Sequence, residues 1–163
     1  MPIIPAGCTL TVQAALTLSL CLMLPPAAHA TTPPEDACTM FTAPQVSAVL
    51  GVPVSDGQHP IASSLLLCSW TPAGGPQIGG KQLSVSLMTE RAFAIAKAPI
   101  QGTLKSPLTG VGDDAYYVTA GALGTALSVK RGGSYVQIRV DGFSSAKVKE
   151  LEKALAVQML MKL

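Results

Sequence analysis

Basic residues are missing from the whole first half of this chain, histidine and cysteine are scarce, and charge is thin throughout. All eleven Lys and Arg lie at or after Lys81, and the formal net charge is only +2. With no Lys/Arg cluster interleaved with aromatics, a nucleic-acid partner is not expected. Beyond His29 near the N-terminus, the one remaining histidine is His59, so any His-based acid–base or nucleophilic mechanism must use it. It stands between Gln58 and Pro60 in a turn-rich stretch, where a solvated loop side chain is the simpler reading. The Gly74-Gly75 and Gly79-Gly80 pairs lack the Gly-Lys-Ser/Thr ending of a phosphate loop, and they open into a strand rather than a helix.

What is present begins with an apolar run from Leu10 to Leu24, broken only by Thr, Ser, Gln and Cys. Pro25-Pro26 follows, then Ala28-His29-Ala30, an A-x-A pattern suited to cleavage after Ala30. At about 15 residues the run is too short to span a bilayer comfortably and fits a secretory signal peptide. No Lys or Arg precedes it, so only the amino terminus supplies positive charge. Leu20 precedes Cys21, and Cys8 has no apolar run before it, so neither cysteine sits in a lipobox. The expectation is residues 1–30 as leader, 31–37 as linker and 38–163 as one domain, periplasmic or secreted, without a lipid anchor or transmembrane segment.

Beyond the leader only Cys38 and Cys68 remain, and an even count in an exported chain reads as a disulfide. Closing a loop of about 30 residues is worth roughly 3–4 kcal/mol in the chain-entropy model. As metal ligands, two cysteines and His59 are too few for a closed zinc site, so no metal and no cofactor are expected.

The first helix is well signed. Thr42 as N-cap with Gln45 three residues on makes a capping box, Phe41 and Val46 can form a staple, and Gly51 is the stop. Leu65 to Trp70 reads as a strand, Gln82 to Met88 alternates as a second, and Glu90 to Ala98 is a short helix stopped by Pro99. Gln101 to Gly112 reads as a long loop. Ala115 to Thr119, Thr125 to Arg131 and Ser134 to Asp141 are strands, the last two joined at Gly132-Gly133. Ser145 to Lys162 is the final helix, with Val148, Leu151, Leu155 and Met159 on one stripe. Each clear strand has one apolar and one polar face. The order α-β-β-α-β-β-β-α implies an α+β fold, an antiparallel sheet of about five strands with helices packed on one face.

Cys38-x-x-Phe41-Thr42-x-x-Gln45-Val46-x-x-x-Leu50-Gly51 followed by Cys68-x-Trp70 resembles a family of small exported bacterial proteins known as a domain of unknown function, many of them lipoproteins. Gly110-Val111-Gly112-Asp113-Asp114-Ala115-Tyr116 and the Lys130-Arg131-Gly132-Gly133 hairpin extend the likeness over most of the domain. The resemblance implies fold and compartment, and it carries no catalytic residues. The missing lipobox departs from the lipoprotein members.

Candidate chemistry is sparse. Asp113-Asp114 could pair as carboxylates, but neighbours at a strand entrance point to opposite faces, and a turn explains them equally well. The polar sheet face, with Lys130, Tyr135, Gln137 and Arg139, offers residue types enriched at binding hot spots, although solvated strands carry the same types. Lys130, Tyr135 and Arg139, together with Asp113, Asp114 and Tyr116, form the candidate binding surface. Trp70, beside Cys68, is expected to cover the disulfide. The composite expectation is a non-enzymatic domain that binds or senses an envelope protein or small molecule. A carrier enclosing an apolar ligand between sheet and helices is the second class, and a small hydrolase the third.

Overall fold

The computed structural model describes residues 34–75 and 80–163, which belong to one unit, Thr31–Leu163. The expected leader and its cleavage position after Ala30 lie outside the described residues. Among those described, no helix is long and apolar enough to cross a membrane.

A 3-10 turn at Ala37–Thr39 opens the fold, capped by Asp36, whose carboxylate accepts from the Cys38 N–H at 2.7 Å. Helix α1, Ala43–Leu50, carries Pro44 in its first turn and ends at Gly51, φ 67°. Gln45 Oε1 accepts from the Thr42 N–H at 2.9 Å, the reach-back half of the capping box. The expected disulfide is present: Cys38 is bonded to Cys68, with Cα atoms 5.0 Å apart.

Six strands make one antiparallel sheet: β1 Leu67–Trp70, β2 Gln82–Leu87, β3 Leu104–Pro107, β4 Asp114–Thr119, β5 Thr125–Arg131 and β6 Ser134–Asp141. Their spatial order is β1-β2-β6-β5-β4-β3. Register carries one apolar row straight across, Cys68 to Val85 to Ile138 to Leu127 to Tyr117. The adjacent row runs Trp70 to Leu83 to Val140. Helix α3, Ser145–Leu160, lays Val148, Leu151, Leu155 and Met159 on this face, all buried, with α1 beside it. Full burial of each such side chain is worth about 1.5–3 kcal/mol. At the C-terminus the Lys162 ammonium donates to the Met40 carbonyl at 2.7 Å and ties the end of the chain to the start of the domain.

The α+β class, the antiparallel sheet and the element types stand as the sequence implies, with two differences in detail. The sheet has six strands, because Leu104–Pro107 inside the expected loop pairs with β4. Its residues, Leu-Lys-Ser-Pro, neither alternate nor bury, so only the partner strand defines it. The helices do not all share one face. Helix α2, Glu90–Lys97, sits on the opposite side of the sheet from α3, with Phe93 buried against the rings of Tyr116 and Tyr135 at 5.1 and 5.5 Å.

Both sheet margins have distinct finishes. Gln58 bridges Ser69 and Val54 bridges Pro72, so an extended segment lies along the outer edge of β1. The other margin is the four-residue β3.

Candidate functional site

The polar sheet face is built by the residues between those of the apolar rows. Ser69 pairs with Ser84 and Ser84 with Arg139, while Ser86 pairs with Gln137, Gln137 with Ser128 and Ser128 with Tyr116. Helix α2 divides this face in two.

Under α2 the face is closed. Tyr116 is buried, and its hydroxyl donates to the Phe93 carbonyl at 3.0 Å, so burial pushes its pKa up. Gln137 Nε2 donates to Ser128 Oγ at 3.2 Å, and Ser128 is fully buried. The Lys130 ammonium lies 5.5 Å from the Tyr135 ring centre. Lys97 of α2 is paired with Asp114. Asp113 turns the other way: its Oδ2 accepts from the Gly132 N–H at 2.6 Å and its own N–H donates to the Lys130 carbonyl. Gly112 makes that approach possible, since a Cβ there would meet the Lys130 carbonyl oxygen at 2.3 Å. Of the six candidate surface residues, five therefore have packing or turn-closing partners, and the two aspartates do not converge.

Arg139 belongs to the uncovered half. Its Nε donates to Asp141 Oδ1 and Oδ2 at 3.0 and 3.2 Å, and its side chain remains 42% exposed. Gln82 Nε2 donates to the same Asp141 at 3.2 Å, and Ser69 and Ser84 share a hydroxyl contact at 3.3 Å. The result is a flat row of short hydroxyls ending in one oriented guanidinium. The Asp141 carboxylate holds the guanidinium through its Nε alone, and Nη2 lies beside Gly124, 3.8 Å from where a Cβ there would sit.

A second cluster surrounds the disulfide. Trp70 is fully buried, edge-on to Phe41 at 6.0 Å, so it covers the bridge and offers no ring to a ligand. Gly57 lies flat on both: a Cβ there would sit 2.6 Å from Cys68 Sγ and 2.8 Å from the indole. This holds the next residue but one, His59, over Cys38. His59 is not a solvated loop side chain. Its Nδ1 is 2.9 Å from the Leu67 carbonyl and 3.7 Å from Cys38 Sγ, and its Nε2 is 3.4 Å from Asp36 Oδ1. Nothing in the sequence placed Asp36 next to His59, because the disulfide and the Gln58–Ser69 bridge, both long-range, bring them together.

The last unusual group is Glu152 on α3, which has no solvent exposure. The β5–β6 ladder stops at Leu127–Ile138, and the Val140 N–H beyond it goes instead to Glu152 Oε1 at 3.1 Å. Oε2 is buried with no hydrogen-bond partner among the described residues. Burial raises this carboxyl to about 8, with Asp141 adding to the shift and the Val140 N–H opposing it. An apolar helix stripe at the right spacing gave no sign that a carboxylate would share the buried face.

Comparison with family models, with curated proteins and with solved structures returned no match.

Proposed function

We propose that this chain is an exported, non-enzymatic domain that binds an envelope partner through the uncovered half of its polar sheet face. The observation that carries the reading is the division of that face by α2: one half is sealed, and the other keeps Ser69, Ser84 and Arg139 accessible. A solvated face needs no ordered guanidinium, whereas Arg139 is held in place by Asp141 and flanked by side chains too short to cover it. The leader, the disulfide and the likeness to the exported family of unknown function support the compartment.

The test is affinity capture with the oxidised domain from envelope extracts, followed by mass spectrometry and a binding titration of the retained species. Arg139→Ala should weaken binding at least about tenfold, equivalent to about 1.4 kcal/mol. Lys153→Ala, on the exposed side of α3, should leave it unchanged. Equal binding by Arg139→Ala and the unsubstituted protein would rule this surface out.

A further inference from the structure

His59 makes an unusual demand on its surroundings. The Leu67 carbonyl can only accept, so Nδ1, at 2.9 Å, carries a hydrogen and donates to it. Nε2 then faces Asp36 Oδ1 at 3.4 Å. In a neutral ring that arrangement sets a lone pair against a carboxylate, and a cation between the two atoms resolves it. A proton suffices, and so does a metal ion. One donor atom from each of Asp36, Cys38 and His59 lies within 4.8 Å of the others. A backbone carbonyl on one ring nitrogen, with the second nitrogen turned toward other donors, is also how metal-ligating histidines are commonly held.

In the oxidised protein the third donor is a disulfide sulfur, a weak ligand, and the set falls short. Reduction changes that. It frees Cys38 and Cys68 beside it as thiols, and Asp36 is the fourth donor that the histidine and cysteine count alone could not provide. We propose that reduction of Cys38–Cys68 converts this cluster into a site for one divalent cation of the zinc class, held by Asp36, Cys38, His59 Nε2 and Cys68. A mixed donor set of two thiolates, one imidazole and one carboxylate suits a tetrahedral borderline-soft ion and disfavours calcium or magnesium.

The redox step balances with a dithiol as reductant. It delivers two electrons and two protons, the Cys38–Cys68 bond breaks, and the dithiol closes to its own disulfide. On binding, each thiol of the chain releases its proton to solvent. The ion then joins the same segments the disulfide joined: the Asp36–Cys38 turn on one side, and the His59 loop with β1 on the other.

Cobalt(II) provides the test, as a coloured stand-in for zinc. The chain carrying Cys8→Ser and Cys21→Ser, in which Cys38 and Cys68 supply the only thiols, is reduced with a phosphine and titrated under anaerobic conditions while circular dichroism monitors the fold. Reduced protein should develop a thiolate-to-cobalt charge-transfer band and tetrahedral d–d bands that saturate at one equivalent and vanish on adding zinc. Oxidised protein should develop neither. His59→Ala and Asp36→Asn should each weaken binding by about 10–100-fold. Should the reduced chain unfold, one equivalent of cobalt should restore its circular dichroism as the bands appear, since binding to such a site is then coupled to folding. Absence of the bands in the reduced chain, or unchanged affinity in His59→Ala and Asp36→Asn, would overturn the proposal.

Discussion

At the scale of single residues, Glu152 sets how this protein responds to pH. Burial penalises its charge and raises its carboxyl from the ordinary glutamate value of 4.5 to about 8. Between those values the unfolded chain has released its proton while the folded chain keeps it, so folding binds a proton and stability falls as pH rises. Above about 8 both states are ionised and this contribution levels off. The slope is roughly 1.4 kcal/mol per pH unit inside the window. Glu152→Gln keeps the acceptor for the Val140 N–H and removes the titration. Urea denaturation at a series of pH values should therefore show the slope in the natural chain and a flatter profile in the variant. Matching profiles would remove Glu152 as its source. The sequence gives no warning of this residue, since a Glu between apolar stripe positions reads as solvated until the end of the β5–β6 ladder is known.

At the scale of elements, α2 is the piece that decides what the polar face can do. It is held there chiefly by Phe93, wedged against Tyr116 and Tyr135, by the Tyr116 hydroxyl and by the Lys97–Asp114 pair. Phe93→Ala removes the wedge but touches none of the residues on the α3 side. The expected outcome is fast amide exchange in Glu90–Lys97 with the β5 and β6 amides still protected, read by hydrogen-exchange mass spectrometry. Loss of protection throughout the sheet would show that α2 is instead integral to the fold. The extent of α2 was legible, from Glu90 to the stop at Pro99. The face it chooses was not, because Phe93 is the only buried residue of its eight and a single aromatic sets no stripe. The strand Leu104–Pro107 was hidden for a related reason: its pattern has no period, and pairing with β4 alone makes it a strand.

At the scale of the whole molecule, one core runs from the sheet under α3 into the corner around Phe41, Trp70 and the disulfide, with most of its residues outside that corner. The capping box, the left-handed Gly51, the alternation of β2 and β6 and the α3 stripe were all readable, since each is a local pattern. The convergence of Asp36, Cys38 and His59 was not, since it follows from contacts between distant segments. Reduction in the presence of a chelator should lower the stability read from urea denaturation by about 3–4 kcal/mol while the transition stays cooperative, because the larger part of the core does not depend on the bridge. A non-cooperative or absent transition would place the disulfide at the centre of the fold instead. The finish of the two sheet margins has one more consequence. A sheet whose outermost strands offer free backbone groups invites other chains to add to it and grow into fibres. Here the Val54–Gln58 segment occupies one margin, and at the other β3 is four residues long, carries Lys105 and ends at Pro107, which has no N–H to give. Neither border can template a neighbouring chain over any length, so crowding many copies together should leave the domain resistant to amyloid-like assembly.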